Sequence, residues 1–173
     1  PLLTILQQAG VQITYRGEEG HFPFVMKSVN VTWKEVSIDT KISSQFASAL
    51  LMSGVLLEEG LLVKMAGDRT EGSYIKMTLS MMEQFGIFAC KDGNEVKVPG
   101  KCSFGVEEYQ IEPDVSGASY FYAMAPLLKT NVIVKNVHRK SLQGDIKFVE
   151  LLGQMGCSFA ETEEGLWVKG SNL

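Results

Sequence analysis

The sequence predicts an α+β fold made of repeated β-α-β-α-β-β units, with the helices packed inside and the sheets outside. Three observations predict it. A short segment ending in glycine occurs three times, a pair of strand-like runs follows each copy, and helical periodicity returns between the copies.

Leu6-Gln7-Gln8-Ala9-Gly10-Val11 recurs as Met82-Glu83-Gln84-Phe85-Gly86-Ile87 and as Leu152-Gly153-Gln154-Met155-Gly156-Cys157, displaced by 76 and then by 70 residues. A helix should end at each glycine, because glycine takes the left-handed conformation that closes a helix. The strand pairs that follow are expected at 12–15 with 22–26, 88–91 with 95–98, and 158–162 with 166–169. Asp92-Gly93-Asn94 and Glu163-Glu164-Gly165 have the composition of hairpin turns. The other half of the unit repeats more weakly: Ser44-Gln45-Phe46 is echoed by Ser119-Tyr120-Phe121, and Val63-Lys64 by Val134-Lys135. Both halves read strand, helix, strand, with strands expected at 32–38 and 61–65 in one, and at 108–111 and 132–136 in the other. The chain therefore reads as the tail of one unit and two complete ones. Helical spacing places Phe46, Ala49, Leu50 and Ser53 on one face, and Tyr74, Met77, Thr78, Met81 and Phe85 on another, both expected to be core.

With 45% hydrophobic and 21% charged residues, the 173-residue chain has ample apolar content for a core. Its net charge of −4 argues against nucleic-acid binding, which needs a clustered excess of Lys and Arg. The one basic knot, His138-Arg139-Lys140, reads as a solvated turn, with a local anion contact as the alternative. No apolar run approaches the roughly 20 residues that span a bilayer. Cys90, Cys102 and Cys157 are odd in number and form no C-x-x-C pair, so neither a disulfide framework nor a zinc site is indicated. Each reads as a buried, inert thiol, and a reducing cytoplasm fits best. The sequence begins at Pro1 with neither methionine nor leader, so the true start is expected to lie outside it.

The strongest chemical signal is Ser43-Ser44-Gln45, straight after a strand and turn at 36–42. One reading makes Ser43 or Ser44 a simple N-cap. The other has the hydroxyls and free amides cradling a phosphate, with Gln45 offering a neutral donor and acceptor to a second ligand group. The run from Ser43 to Met52, SSQFASALLM, resembles the S-S-Q-F-x-[ST]-A-L-L-M stretch of the 5-enolpyruvylshikimate-3-phosphate synthase family. The likeness continues through Tyr74-Ile75-Lys76-Met77-Thr78-Leu79 and Ser119-Tyr120-Phe121. It also takes in Lys140-Ser141-Leu142-Gln143-Gly144-Asp145-Ile146, which resembles N-S-M-Q-G-D-I.

The resemblance implies a fold of the enolpyruvyl transferase type and a central piece of a shikimate-pathway transferase. In that family the enolpyruvyl group of phosphoenolpyruvate passes to shikimate 3-phosphate by addition and elimination. It implies that Ser43, Ser44 and Gln45 contact shikimate 3-phosphate, that Gln45 also approaches phosphoenolpyruvate, and that Tyr74 lies on the shikimate side. No cofactor or metal is implied. The same likeness assigns residues 1–111 to the N-terminal domain and 112–173 to the start of the C-terminal one. The family's catalytic Asp and Glu and its gripping Lys and Arg residues fall outside the chain, which by itself is expected to be inactive. Asp114 and Asp145 read instead as an N-cap and a helix start. Glu71 stands where the family pattern has a serine, and is expected to turn to solvent or pair with Arg69 while Thr70 or Ser73 supplies the hydroxyl. Two other readings stay open: a non-catalytic repeat module that binds an anion or a partner, and the related UDP-N-acetylglucosamine enolpyruvyl transferase.

Overall fold

The computed structural model describes residues 1–27, 32–41, 43–67 and 72–170. Their contacts divide the chain into two compact units, Pro1–Glu107 and Glu108–Leu173. The first unit runs α1 (Leu2–Gln8), β1 (Gln12–Tyr15), β2 (Phe24–Lys27), β3 (Glu35–Asp39), α2 (Gln45–Gly54), β4 (Leu61–Ala66), α3 (Ser73–Gln84), β5 (Cys90–Asp92) and β6 (Glu95–Val98). The second runs α4 (Val115–Leu127), β7 (Asn131–Lys135), a 3-10 turn over Gly144–Ile146, α5 (Lys147–Gln154), β8 (Ser158–Glu161) and β9 (Gly165–Lys169).

The recurring glycines close three helices in the same way. Gly10, Gly86 and Gly156 have φ of 89°, 85° and 95°. In each case the glycine N–H donates to the carbonyl three residues back, at 2.9, 2.9 and 3.0 Å, and the next N–H to the carbonyl five back, at 3.0, 2.8 and 3.0 Å. These paired bonds form a Schellman motif, which satisfies carbonyls that the helix end would otherwise orphan. An antiparallel hairpin follows each: β1 with β2, β5 with β6, and β8 with β9.

From β3 to β6 the first unit is a complete β-α-β-α-β-β group, its strands in the order β3-β4-β6-β5. The crossover through α2 makes β3 and β4 parallel. One sheet face buries Val36, Ile38, Leu61, Val63, Met65, Val96 and Val98 with Leu50 and Leu51 of α2 and Ile75 and Met82 of α3. On the other face Lys64 Nζ reaches Glu35 at 2.7 Å and Glu95 at 3.9 Å across neighbouring strands. In the second unit β7-β9-β8 backs a separate core of Val115, Ala118, Tyr122, Ala125, Val149, Leu152, Leu166 and Val168.

Several expectations are corrected. Residues 108–111 form no strand, so the second group lacks its first β element and Ile111 is 73% exposed. β3 is held in its sheet by two buried alternating side chains, Val36 and Ile38. The segment from Glu108 to Ile111 buries no such pair, and Pro113 just beyond it has no N–H for a ladder. The buried face of α2 is Ala47, Leu50, Leu51 and Gly54, rotated one position from the expected stripe, and Ser53 is exposed. Close packing sets that rotation: a Cβ at Gly54 would lie 2.6 Å from Val98 Cγ2 and 2.7 Å from Leu61 Cβ. On α3 the core residues are Ile75 and Met82 with Leu79 beside them, while Tyr74 and Met81 are exposed. The weaker echo holds only in part: Val63-Lys64 and Val134-Lys135 both lie in the strand after a helix, β4 and β7, but Ser44 precedes α2 whereas Ser119 lies inside α4. Of the cysteines Cys157 is buried, but Cys90 is exposed because every residue of the edge strand β5 is exposed.

Candidate functional site

Because β3 and β4 run parallel, their carboxyl ends meet at one edge of the sheet, and the connections to α2 and α3 both leave from there. Ligands of open sheets with helical crossovers gather at such edges. The two exits are tied together. Thr40, fully buried, donates its N–H (2.8 Å) and its Oγ1–H (2.9 Å) to the Ala66 carbonyl at the end of β4. Lys41 N–H donates to Asp39 Oδ1 at 2.8 Å. Gly67 follows with φ +101°, and a Cβ there would stand 2.9 Å from Lys41 Cγ and 3.1 Å from Asp39 Oδ1. Only glycine tolerates both that conformation and that approach. Thr40 and Gly67 were not singled out in the sequence, although Asp39-Thr40 after a strand is ordinary turn chemistry.

At the start of α2, Ser43 Oγ accepts from Gln45 N–H at 3.2 Å. Ser44 occupies the N-cap position but already has helical angles, φ −76° and ψ −10°, and its side chain makes no capping bond. An N-cap side chain normally reaches the amides from an extended backbone. The simple N-cap reading therefore fails for Ser44, whose side chain, 6% exposed, is not spent on the helix. Gln45 is exposed, and no acidic residue stands in the first turn. Tyr74 sits in the first turn of α3, 50% exposed, behind the N-cap Gly72, again with no acidic residue in that turn. Within these first turns no side chain offsets the positive end of the helix dipole.

The start of α4 is built in the opposite way. Asp114 caps it by accepting from Ser116 N–H at 2.9 Å, and Ser116 Oγ lies 2.5 Å from Asp145 Oδ2. Gln143 Oε1 accepts from Val115 N–H at 2.8 Å, and its Nε2 donates to the Pro113 carbonyl and to Glu112 Oε2 at 2.8 and 2.9 Å. Three carboxylates, Asp114, Asp145 and Glu112, and the Gln143 amide gather at that end. In the basic turn, His138 Nδ1 pairs with Glu161 Oε1 at 3.0 Å and Arg139 stacks 5.1 Å above the Phe159 ring.

The structure thus puts Ser43, Ser44 and Gln45 on one of the two helix starts that leave this sheet edge and Tyr74 on the other. Ser73 is the first residue of α3. Arg69, Thr70 and Glu71, on which the expected rearrangement around Glu71 depends, lie outside the described residues. Among the described residues no group of His, Cys, Asp and Glu could hold a metal ion, and no helix is long and apolar enough to cross a membrane.

A profile of the family described as EPSP synthase (3-phosphoshikimate 1-carboxyvinyltransferase) matches residues 1–172. The chain is 34% identical to the 3-phosphoshikimate 1-carboxyvinyltransferase of Pseudoalteromonas atlantica, over 99% of the chain and 41% of that relative. It is 38% identical to the one from a Marinomonas species, over 90% and 37%. Its fold is similar to the structure of EPSP synthase from Acinetobacter baumannii, with a TM-score of 0.68 and 24% identity over 98% of the chain and 39% of that protein. The chain spans about two fifths of the length of these relatives.

Proposed function

The chain belongs to the EPSP synthase family, and we propose that it is the part of a 3-phosphoshikimate 1-carboxyvinyltransferase that holds the phosphate of shikimate 3-phosphate. The enzyme would move the enolpyruvyl group of phosphoenolpyruvate to the 5-hydroxyl of that substrate. The observation that carries the reading is the contrast between two helix starts. The start of α4 is filled by carboxylates, Asp114 of its own cap and Asp145 of the 3-10 turn, whereas α2 offers Ser44, whose side chain makes no cap and is almost buried, in a turn without acids. A phosphate there gains hydroxyl and amide donors together with the positive end of the helix. In this reading Gln45 donates to the second substrate and Tyr74 lies on the shikimate side, supported by the exposure of Gln45 on α2 and of Tyr74 on α3.

In this reading residues 1–111 belong to the N-terminal domain and 112–173 open the C-terminal one, a division supported by two separate cores. A cytoplasmic setting is supported by three cysteines without a disulfide. In the full-length enzyme Ser44→Ala should weaken shikimate 3-phosphate binding by about 1–3 kcal/mol, the range for hydrogen bonds to a charged group. Calorimetric titration measures it, and unchanged affinity refutes the phosphate role of Ser44.

A further inference from the structure

Behind the two helix starts lies a pair of hydroxyls, Ser48 at the Ser/Thr position of the first motif and Thr78 in the stretch 74–79, to which neither the N-cap nor the phosphate reading gives a role. Ser48, 8% exposed, is on α2 and Thr78 is on α3, and their oxygens are 2.8 Å apart. Thr78 Oγ1 also lies 2.8 Å from the Tyr74 carbonyl one turn back. A hydroxyl has a single hydrogen, and a carbonyl can only accept. Thr78 therefore donates to Tyr74, and Ser48 donates to Thr78. Ser48 N–H in turn donates to the Ser44 carbonyl at 3.2 Å. Three hydrogen bonds, joined covalently through Ser48 and Thr78, thus link the backbone of Ser44 to the backbone of Tyr74, with a single crossing between the helices.

We propose that Ser48 and Thr78 are positioning residues that set the separation of Ser44 and Tyr74. The inference rests on the reading that those two residues bind shikimate 3-phosphate. Helices packed through apolar side chains alone can slide by fractions of an ångström, and α3 turns two core residues, Ile75 and Met82, toward its unit. A directional bond one turn behind the site removes that freedom where it matters most. In this proposal the pair acts through Ser44 and Tyr74, the residues at the two ends of the link.

The test is a set of shikimate 3-phosphate titrations on the full-length enzyme. Thr78→Val and Ser48→Ala should each weaken binding about fivefold, the factor that corresponds to one neutral hydrogen bond. The double variant should be no weaker than either single one, because both remove the same link. Thr78→Ser, which keeps the hydroxyl, should bind as the parent does. In a Ser44→Ala, Tyr74→Phe background Thr78→Val should change affinity less than twofold, whereas general loosening of the fold would persist there. Unchanged affinity in Thr78→Val and Ser48→Ala overturns the proposal, as does a loss that survives intact in that background or is not rescued by Thr78→Ser. Should Thr78→Val not fold, Ser48→Ala and Thr78→Ser decide by the same criteria. If Ser44→Ala and Tyr74→Phe are themselves silent, the site reading is what fails and the inference falls with it. A normal Ser44→Ala effect beside a silent Ser48→Ala removes the inference alone.

Discussion

At Tyr122 the second unit buries a phenol completely, and its hydroxyl finds no partner among the described residues. Burial pushes the Tyr122 pKa up to about 12, because the apolar surroundings disfavour the phenolate. The proton is bound more tightly in the folded state, so this contribution to stability is fully present below about pH 10 and is lost as pH rises through about 12. Urea unfolding followed by Trp fluorescence should show the parent losing more stability between those pH values than Tyr122→Phe does. At neutral pH Tyr122→Phe should be more stable by about 1 kcal/mol, since an unsatisfied buried polar group costs about 1–3 kcal/mol. A destabilised Tyr122→Phe would mean that the hydroxyl has a partner. Nothing in the order of residues announces this orphan; Tyr120 and Tyr122 differ only in which side of α4 they take. The start of α2 was legible by contrast, because hydroxyls and a neutral amide just after a strand form a local pattern. Its link to α3 was not, since Ser48 and Thr78 are 30 residues apart and only packing brings them together.

Among the elements, two glycines separate conformational from steric need. Gly86 has φ +85°, and the nearest atom to an added Cβ is 3.9 Å away. Gly86→Ala should therefore cost about 1–2 kcal/mol from the left-handed backbone alone, with Gly86→Asn milder, as unfolding midpoints would report. Gly54 lies on α2, where an added Cβ would meet Val98 and Leu61. Gly54→Ala should cost about 1–3 kcal/mol through overpacking despite the better helix propensity of alanine. A neutral Gly54→Ala would show that α2 shifts freely on its sheet. The repeat was readable at its glycines because helix closure is a local event. The buried stripes of α2 and α3 were misplaced because spacing gives a periodicity but not a phase, and the phase follows from how closely Gly54 approaches β6.

For the whole molecule, the two units have separate cores, and the helices leave apolar surface uncovered. On α4 Tyr120, Phe121 and Leu127 are exposed, Leu127 at 75%, as is Leu128 at its C-cap. A helix that is apolar all round is normally enclosed, so the isolated chain should bind a hydrophobic dye. Leu127→Gln with Leu128→Gln should reduce that fluorescence while leaving the unfolding free energy within about 0.5 kcal/mol, as exposed positions allow. A chain that leaves the dye dark would contradict the exposed face. The sequence by itself determined the α+β class, the three glycine-closed helices, the hairpins after them and the motif at the start of α2. All of these depend on neighbours a few residues apart. Only the tertiary structure decided that residues 108–111 form no strand, that Ser44 leaves its hydroxyl uncapped, and that Ser48 meets Thr78. Those outcomes depend on what a segment can bury and on which distant side chains come within 3 Å of each other, and local spacing encodes neither.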